Sequence, residues 1–210
     1  EAVEKQGRTI FLEPMSEIAG ALAAYYAGFF KHYVRVEGER ILYPPRLPEK
    51  LGELAGFFPE VPEHLNPGKV VVFGGGTAGR KAAEISLKMG AEVDLIEKKK
   101  ERREFLGREF KSFGPHLRIW GLEDCFQERL KEADVWIGCV HVVGEKAPSV
   151  LSEKELKDFS QSRPKLMMDV AIDQGGNFPG AHSTSYEDPL YLDPFGNLRF
   201  GVTNIPSLCG

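Results

Sequence analysis

A short apolar run rich in β-branched residues, Lys69-Val-Val-Val-Phe73, leads directly into Gly74-Gly-Gly-Thr-Ala-Gly79, and this junction limits the folds open to the chain. Its glycines recur as Gly74-x-Gly76-x-x-Gly79. Between a strand and a helix, that spacing meets three separate needs. Gly74 allows a tight turn, Gly76 lets backbone approach a pyrophosphate, and Gly79 lets the helix pack closely on its strand. Ala82, Ala83, Ile85 and Met89 then recur at roughly helical spacing, and a second apolar run covers Val93 to Ile96. Glu97 closes that run 21 residues beyond Gly76, where a carboxylate accepts hydrogen bonds from ribose hydroxyls. The pattern reads as a dinucleotide-binding βαβ crossover. Glycine is common here, 23 of 210 residues, so the flanking strand, helix and acid carry that reading rather than the glycines alone.

The alternation continues down the chain. Strands are expected at Val70–Phe73, Val93–Ile96, Leu117–Trp120, Val135–Val140 and Leu166–Val170. Helices are expected between them at Thr77–Met89, about Lys100–Phe110, Leu122–Glu132 and Ser152–Phe159. Strict alternation implies right-handed crossovers and a parallel sheet covered on both faces. The fold class is therefore α/β, a doubly wound parallel sheet of the Rossmann dinucleotide-binding type. After Asp173 the pattern loosens into glycine and polar turns, with a last candidate strand at Leu198–Val202.

Ahead of the sheet, residues 14–33 read as a linking helix. Pro14 suits a first turn, Ser16 is a cap candidate, and Ile18, Ala19, Leu22, Ala23, Tyr26, Phe29 and Phe30 follow helical spacing. Residues 36–68 carry six prolines and read as a connector with room for one short helix near 49–57. The expected division is 1–67 for the linking helix and Pro-rich connector, 68–206 for the nucleotide-binding domain, and 207–210 for the start of a further segment. The chain opens Glu-Ala-Val-Glu without Met, as if part of something longer. The linking helix shows two apolar sides, so self-association into a homo-oligomer is expected there.

Net charge is −4, with 27 basic and 31 acidic residues and no long basic face, which argues against a nucleic-acid partner. The most apolar stretch, Ile18 to Phe30, falls short of the ~20 residues a bilayer span needs, so no membrane partner is expected. Cys125, Cys139 and Cys209 show neither metal-ligand spacing nor a disulfide framework, which fits a reducing cytoplasm.

In an open α/β sheet the ligand lies along the carboxyl ends of the strands. The residues there are Gly74–Gly79, Glu97, Gly121, Val140, His141 and Ala171–Asp173. Glu97 has two readings, a ribose acceptor or a cap on the following helix. As a ribose acceptor it repels a 2′-phosphate, so NAD is expected over NADP, while Lys98 to Lys100 and Arg102 keep NADP open. Asp173, between a buried-type strand and Gly175-Gly176, points toward the reacting end of the cleft, or else only nucleates the glycine turn. His141 follows a strand and is a weaker candidate for direct chemistry.

Several strings together resemble one family. Pro14-Met-Ser-Glu-Ile-Ala-Gly20, Gly74-Gly-Gly-Thr-Ala-Gly79, Ala133-Asp-Val-Trp-Ile-Gly138, Gly144-Glu-Lys-Ala-Pro148, Asp169-Val-Ala-Ile-Asp-Gln-Gly-Gly176 and Val202-Thr-Asn-Ile-Pro206 resemble alanine dehydrogenases and the related nicotinamide nucleotide transhydrogenase subunit. The resemblance implies oxidation of L-alanine to pyruvate and ammonia by hydride transfer to NAD. It implies that Ser16, Thr77, Ala78, Glu97 and Arg102 contact the adenosine and phosphate part of the cofactor. Val140, Val170, Asp173, Val202 and Asn204 would line the nicotinamide end, with Asp173 closest to catalysis; His141, a cofactor-site candidate from its place after a strand, is uncommon in the family, and no metal site is expected. In such enzymes a preceding domain supplies the Lys, Arg and His that hold and deprotonate the amino acid, so this chain is expected to bind NAD without turning substrate over. His182 and Gly121 depart from the family pattern, where an Arg and a Ser are common. Two other readings stay open: a stand-alone NAD-sensing module, and a transhydrogenase or saccharopine dehydrogenase-type subunit.

Overall fold

A computed structural model of the 210-residue chain describes residues 4–5, 8–9, 12–44, 63–142 and 144–205. The elements in chain order are β1 (Glu4–Lys5), β2 (Arg8–Thr9), α1 (Leu12–Tyr33), β3 (Arg35–Glu37), β4 (Arg40–Leu42), β5 (Lys69–Phe73), α2 (Thr77–Lys88), β6 (Glu92–Ile96), α3 (Lys100–Glu109), β7 (Leu117–Trp120), α4 (Gln127–Glu132), β8 (Val135–Gly138), α5 (Glu153–Ser160), β9 (Leu166–Asp169), β10 (Leu190–Leu192) and β11 (Leu198–Phe200). Seven strands form one sheet in the order β10-β11-β9-β8-β5-β6-β7. Every pairing in it is parallel except β10 with β11. From β5 the chain winds out through β6 to β7, then crosses back to β8 on the other side of β5. This reversal opens a crevice between the carboxyl ends of β5 and β8, as in doubly wound sheets generally.

Alternation along each strand divides the core between the two faces. Val70, Val72, Val93, Leu95, Val135, Ile137, Leu166 and Met168 face α1, α2 and α3. Val71, Phe73, Trp136 and Met167 face Leu130 of α4 and Leu156 and Phe159 of α5. The link from β9 to β11 contains no α-helix, and α1 fills the place one would take. Its Tyr26 and Phe30 rings lie 5.6 and 5.8 Å from the Phe200 ring on β11. Leu22, Ala23, Tyr26, Ala27 and Phe30 are buried against the sheet side, while Ala24 and Tyr25 pack with Leu65, Ile85 and Met89. Both apolar sides of α1 are thus covered within the chain, which removes the physical reason for expecting self-association through them.

The glycines of α1 make that packing possible. A Cβ at Gly20 would stand 2.0 Å from the Ala78 carbonyl oxygen, and one at Gly28 would stand 2.2 Å from that of Leu65. Gly20 touches the start of α2 and Gly28 the segment before β5, so α1 runs from the carboxyl edge of the sheet to the opposite edge. Lys31 secures the far end by an ion pair of 2.6 Å to Asp134.

Several sequence expectations are corrected. Residues 35–42 form an antiparallel hairpin inside the stretch read as a connector, and the short helix expected near 49–57 lies outside the described residues. Ser16 lies inside α1, which begins at Leu12, so it does not cap the helix. The helix expected from Leu122 starts at Gln127, because the Asp124 carboxylate accepts the Gly121 N–H at 2.6 Å and holds a turn. Strand β10 went unrecognised. It is three residues long and joins β11 through a turn in which Asp193 accepts the Gly196 N–H. No helix among the described residues is long and apolar enough to cross a membrane.

Asp169 ends β9 as a buried carboxylate. Its oxygens accept N–H bonds from Ala171 at 3.2 Å, Asn177 at 2.8 Å and Phe178 at 3.4 Å. Burial pushes its carboxyl up to about 6, against the opposing effects of those N–H donors and the Arg199 charge.

Two measurements follow from this packing. Gly20→Ala gains ~1 kcal/mol of helix propensity. Against that, it sets a methyl into backbone, a type of overpacking that costs ~1–3 kcal/mol, so a lower urea midpoint with unchanged slope is expected. For Asp169, the folded chain keeps its proton to pH about 6, while the unfolded chain releases it near ~3.9. Its contribution to stability is therefore whole below the unfolded value and lost as pH rises through the folded one. Urea unfolding across that window should show the wild type losing up to about 3 kcal/mol relative to Asp169→Asn. A difference that does not change with pH would contradict the raised carboxyl.

Candidate nucleotide-binding site

Gly74 leaves β5 at φ +92°, a left-handed conformation that favours glycine, and its N–H donates to Ile96 O at 2.8 Å. A Cβ there would lie 3.1 Å from both Cys139 O and Val140 Cγ2, so the turn rests directly on the end of β8. At Gly79 a Cβ would sit 1.8 Å from Gly74 O, which leaves no room for any side chain. Gly76 differs from both. Its backbone is extended at φ −65° and ψ −166°, and a Cβ would meet nothing within 4 Å. Neither conformation nor internal packing demands glycine at this position, so the space beside it is open to an incoming group. Helix α2 starts here with no side-chain cap and no acid in its first turn. The first N–H groups of a helix have no partners within it, and they favour an anion.

Glu97 stands beside this loop, 9% exposed, at the end of β6. Its Oε2 accepts the Gly75 N–H and its Oε1 the Lys99 N–H, each at 2.8 Å. The sequence offered ribose acceptor and helix-start residue as alternatives. The carboxylate in fact bonds to the glycine loop and to the residue preceding α3 at once, and each oxygen keeps a lone pair for a hydroxyl. Arg102 donates from Nε to Gly75 O at 2.6 Å, with its guanidinium 4.9 Å above the Phe105 ring. Gly75 is therefore gripped at its N–H by Glu97 and at its C=O by Arg102. Arg103 bonds the carbonyls of Glu97 and Lys98 at 2.9 Å, and Lys98, Lys99 and Lys100 are exposed.

Farther along the carboxyl edge, Val140 is half-buried behind Gly74 and His141 is exposed. Val170 donates its N–H to Gly138 O at 2.9 Å. Asp173, exposed in a short 3-10 turn, accepts the Asn204 N–H at 3.0 Å, joining the segment after β9 to the one after β11. Asn204 has φ +49°, the one non-glycine residue of positive φ among the described residues. Val202 is buried and bridges to Thr184. Ser16 reaches the same edge because the contact of Gly20 with Ala78 brings the start of α1 to the start of α2. Gly74, Gly76, Thr77, Ala78, Gly79, Glu97 and Arg102 thus form one connected patch that Val140 adjoins, and Asp173 and Asn204 form a second contact point. Cys139 is buried, which raises its thiol far above the ordinary range and leaves it unreactive. No group of three His, Cys, Asp or Glu suited to a metal occurs among the described residues.

Sequence reasoning missed Asn177. This fully buried side chain bonds both the N–H and the C=O of Val140 at 2.9 Å. An Asn after two glycines reads as a turn residue, and only the fold reveals its partners 37 residues away.

Comparison with known proteins places the chain in a family. Residues 49–210 match the family described as "Alanine dehydrogenase/PNT, C-terminal domain". The alanine dehydrogenase of Mycobacterium tuberculosis is 34% identical over 206 residues, covering 96% of this chain and 48% of that one. That of Methanococcus maripaludis is 32% identical over 210 residues, 98% of this chain and 50% of its own. A solved L-alanine dehydrogenase superposes with a TM-score of 0.70 at 28% identity, over 100% of this chain and 54% of the other. A transhydrogenase from Sinorhizobium meliloti shares the fold, with a TM-score of 0.65 at 18% identity, over 94% of this chain and 50% of that one. The chain spans about half the length of the curated relatives it matches. On the extent of these matches, the chain belongs to the alanine dehydrogenase/PNT family, with residues 49–210 matching its C-terminal domain.

Proposed function

We propose that the chain is the NAD(H)-binding half of an alanine dehydrogenase-like amino-acid oxidoreductase. The observation that carries this is the open α2 N-terminus at Gly76, set beside the buried Glu97 carboxylate at the reversal of strand order. The N–H groups of Thr77, Ala78 and Gly79 suit a pyrophosphate, and the remaining lone pairs of Glu97 suit the adenosine ribose. A buried acid at this position repels a 2′-phosphate, which favours NAD over NADP. In this reading the nucleotide-binding unit runs from 68 to 206, and Ser16 of the preceding 1–67 section reaches the cofactor from α1. Arg102 keeps the phosphate loop in shape from the adenosine side.

A bound nicotinamide supplies a carbon that accepts or donates a hydride. The chain's own residues orient it. Val140, Val170 and Val202 exclude water from one side, Asp173 with Asn204 gives a polar rim, and His141 is exposed just beyond Val140. Asp173 is the carboxylate best placed to reach the reacting end. The amino-acid substrate, L-alanine in one direction and pyruvate with ammonia in the other, is held by a second domain in the whole enzyme. Hydride transfer depends on fixing both reactants in contact, so the rate collapses when the residues orienting one of them are absent. The unpaired thiols of Cys125 and Cys139 fit a reducing cytoplasm.

Two experiments test this. NADH added to the 210-residue chain should gain nicotinamide fluorescence, and Glu97→Ala should weaken NAD by about tenfold while narrowing the gap to NADP. Tighter binding of NADP than NAD by the unaltered chain would remove the ribose assignment. The same chain supplied with NAD and L-alanine should produce no NADH. Turnover by a homogeneous sample would show that a second domain is not needed to orient the substrate.

A further inference from the structure

Between β8 and α5, residues 139–142 and 144–152 lie outside helix and strand. Strand β8 ends at Gly138, and Cys139 N–H still reaches Phe73 O at 2.9 Å. One residue later the neighbouring strands no longer provide a partner for Val140. The Asn177 side chain takes over. Its Oδ1 accepts the Val140 N–H and its Nδ2 donates to Val140 O, so an amide side chain stands where the peptide group of an adjacent strand would be. The second Nδ2 proton goes to Pro148 O at 2.9 Å, at the far end of the same loop.

Asn177 is itself held in place. Its own N–H donates to the buried Asp169 carboxylate, and its carbonyl accepts the Val150 N–H at 2.8 Å. Room for it exists only because residue 138 is glycine: a Cβ there would come within 2.9 Å of Asn177 Cβ and 3.0 Å of its Oδ1. One amide thus binds both ends of the loop from Val140 to Pro148 to the turn after β9, the turn that also carries Asp173. Val140 in turn backs Gly74.

Resting on the NAD reading above, we infer that Asn177 is a positioning residue that sets the nicotinamide-side wall of the crevice and leaves the adenosine side unaffected. The adenosine contacts lie on β6, α3 and the glycine loop, where Glu97 and Arg102 hold Gly75 without help from Asn177. Loss of the clamp therefore acts on one half of the cofactor.

The test compares whole and half ligands in the 210-residue chain. Binding of NADH and of ADP-ribose is titrated for the wild type, Asn177→Ala and Asn177→Asp. The Asp variant keeps an acceptor for the Val140 N–H but loses both donors. Expected is an NADH affinity about tenfold weaker with loss of the nicotinamide fluorescence gain, beside an ADP-ribose affinity within about twofold of wild type. Equal weakening of both ligands, or an unchanged NADH affinity in a folded variant, overturns the role. Should Asn177→Ala fail to fold by circular dichroism, Asn177→Asp decides by the same split. A wild-type chain that binds neither ligand overturns the NAD reading and this inference with it, whereas wild-type binding with unaffected variants overturns the inference alone.

Discussion

Helix α2 lies so close to the strand feeding it that Gly79 touches the carbonyl of Gly74, with no space for even a methyl group. Much else rests on this contact. It aims the first turn of α2 at the carboxyl edge of the sheet, where its unpartnered N–H groups can meet an anion. It also presses the Gly74 turn against Cys139 and Val140, so the ends of β5 and β8 meet where strand order reverses. Helix α1 completes the arrangement through Gly20, whose missing side chain lets it lie against Ala78 in that same first turn. Three helical and turn glycines therefore fix one end of α2, each by allowing backbone to touch backbone.

Around this apolar framework the loops are held by polar groups acting in pairs, buried at Glu97, Asp169 and Asn177 and exposed at Asp173. Glu97 and Arg102 grip opposite ends of the Gly75 peptide. Asp169 holds Asn177, which grips both polar groups of Val140. Asp173 reaches across to Asn204. Buried polar groups are costly unless bonded, so the loops held by Glu97, Asp169 and Asn177 are confined to arrangements that keep those bonds. The crevice is thereby shaped before any ligand arrives, which lowers the ordering cost of binding.

Much of this was legible beforehand. The strand-to-helix junction at Phe73 to Thr77, the acid at Glu97 and the alternation from β5 to β9 are local patterns, and hydrophobic period and turn chemistry express them directly. The hairpin at residues 35–42 and strand β10 were not legible, because both are three-residue pairings whose stability comes from neighbours. The apolar faces of α1 were visible, but their partners were not. Two exposed-looking sides proved to be covered by the sheet and by α2.

The sequence by itself determined the fold class, the position of the glycine loop and the family strings, since each depends on residues close together in the chain. Tertiary structure alone decided which groups meet across long separations: Asn177 with Val140, Asp173 with Asn204, and Tyr26 and Phe30 with Phe200. Hydrogen bonds and packing act over a few ångströms in space, and only the folded sheet brings those partners within reach.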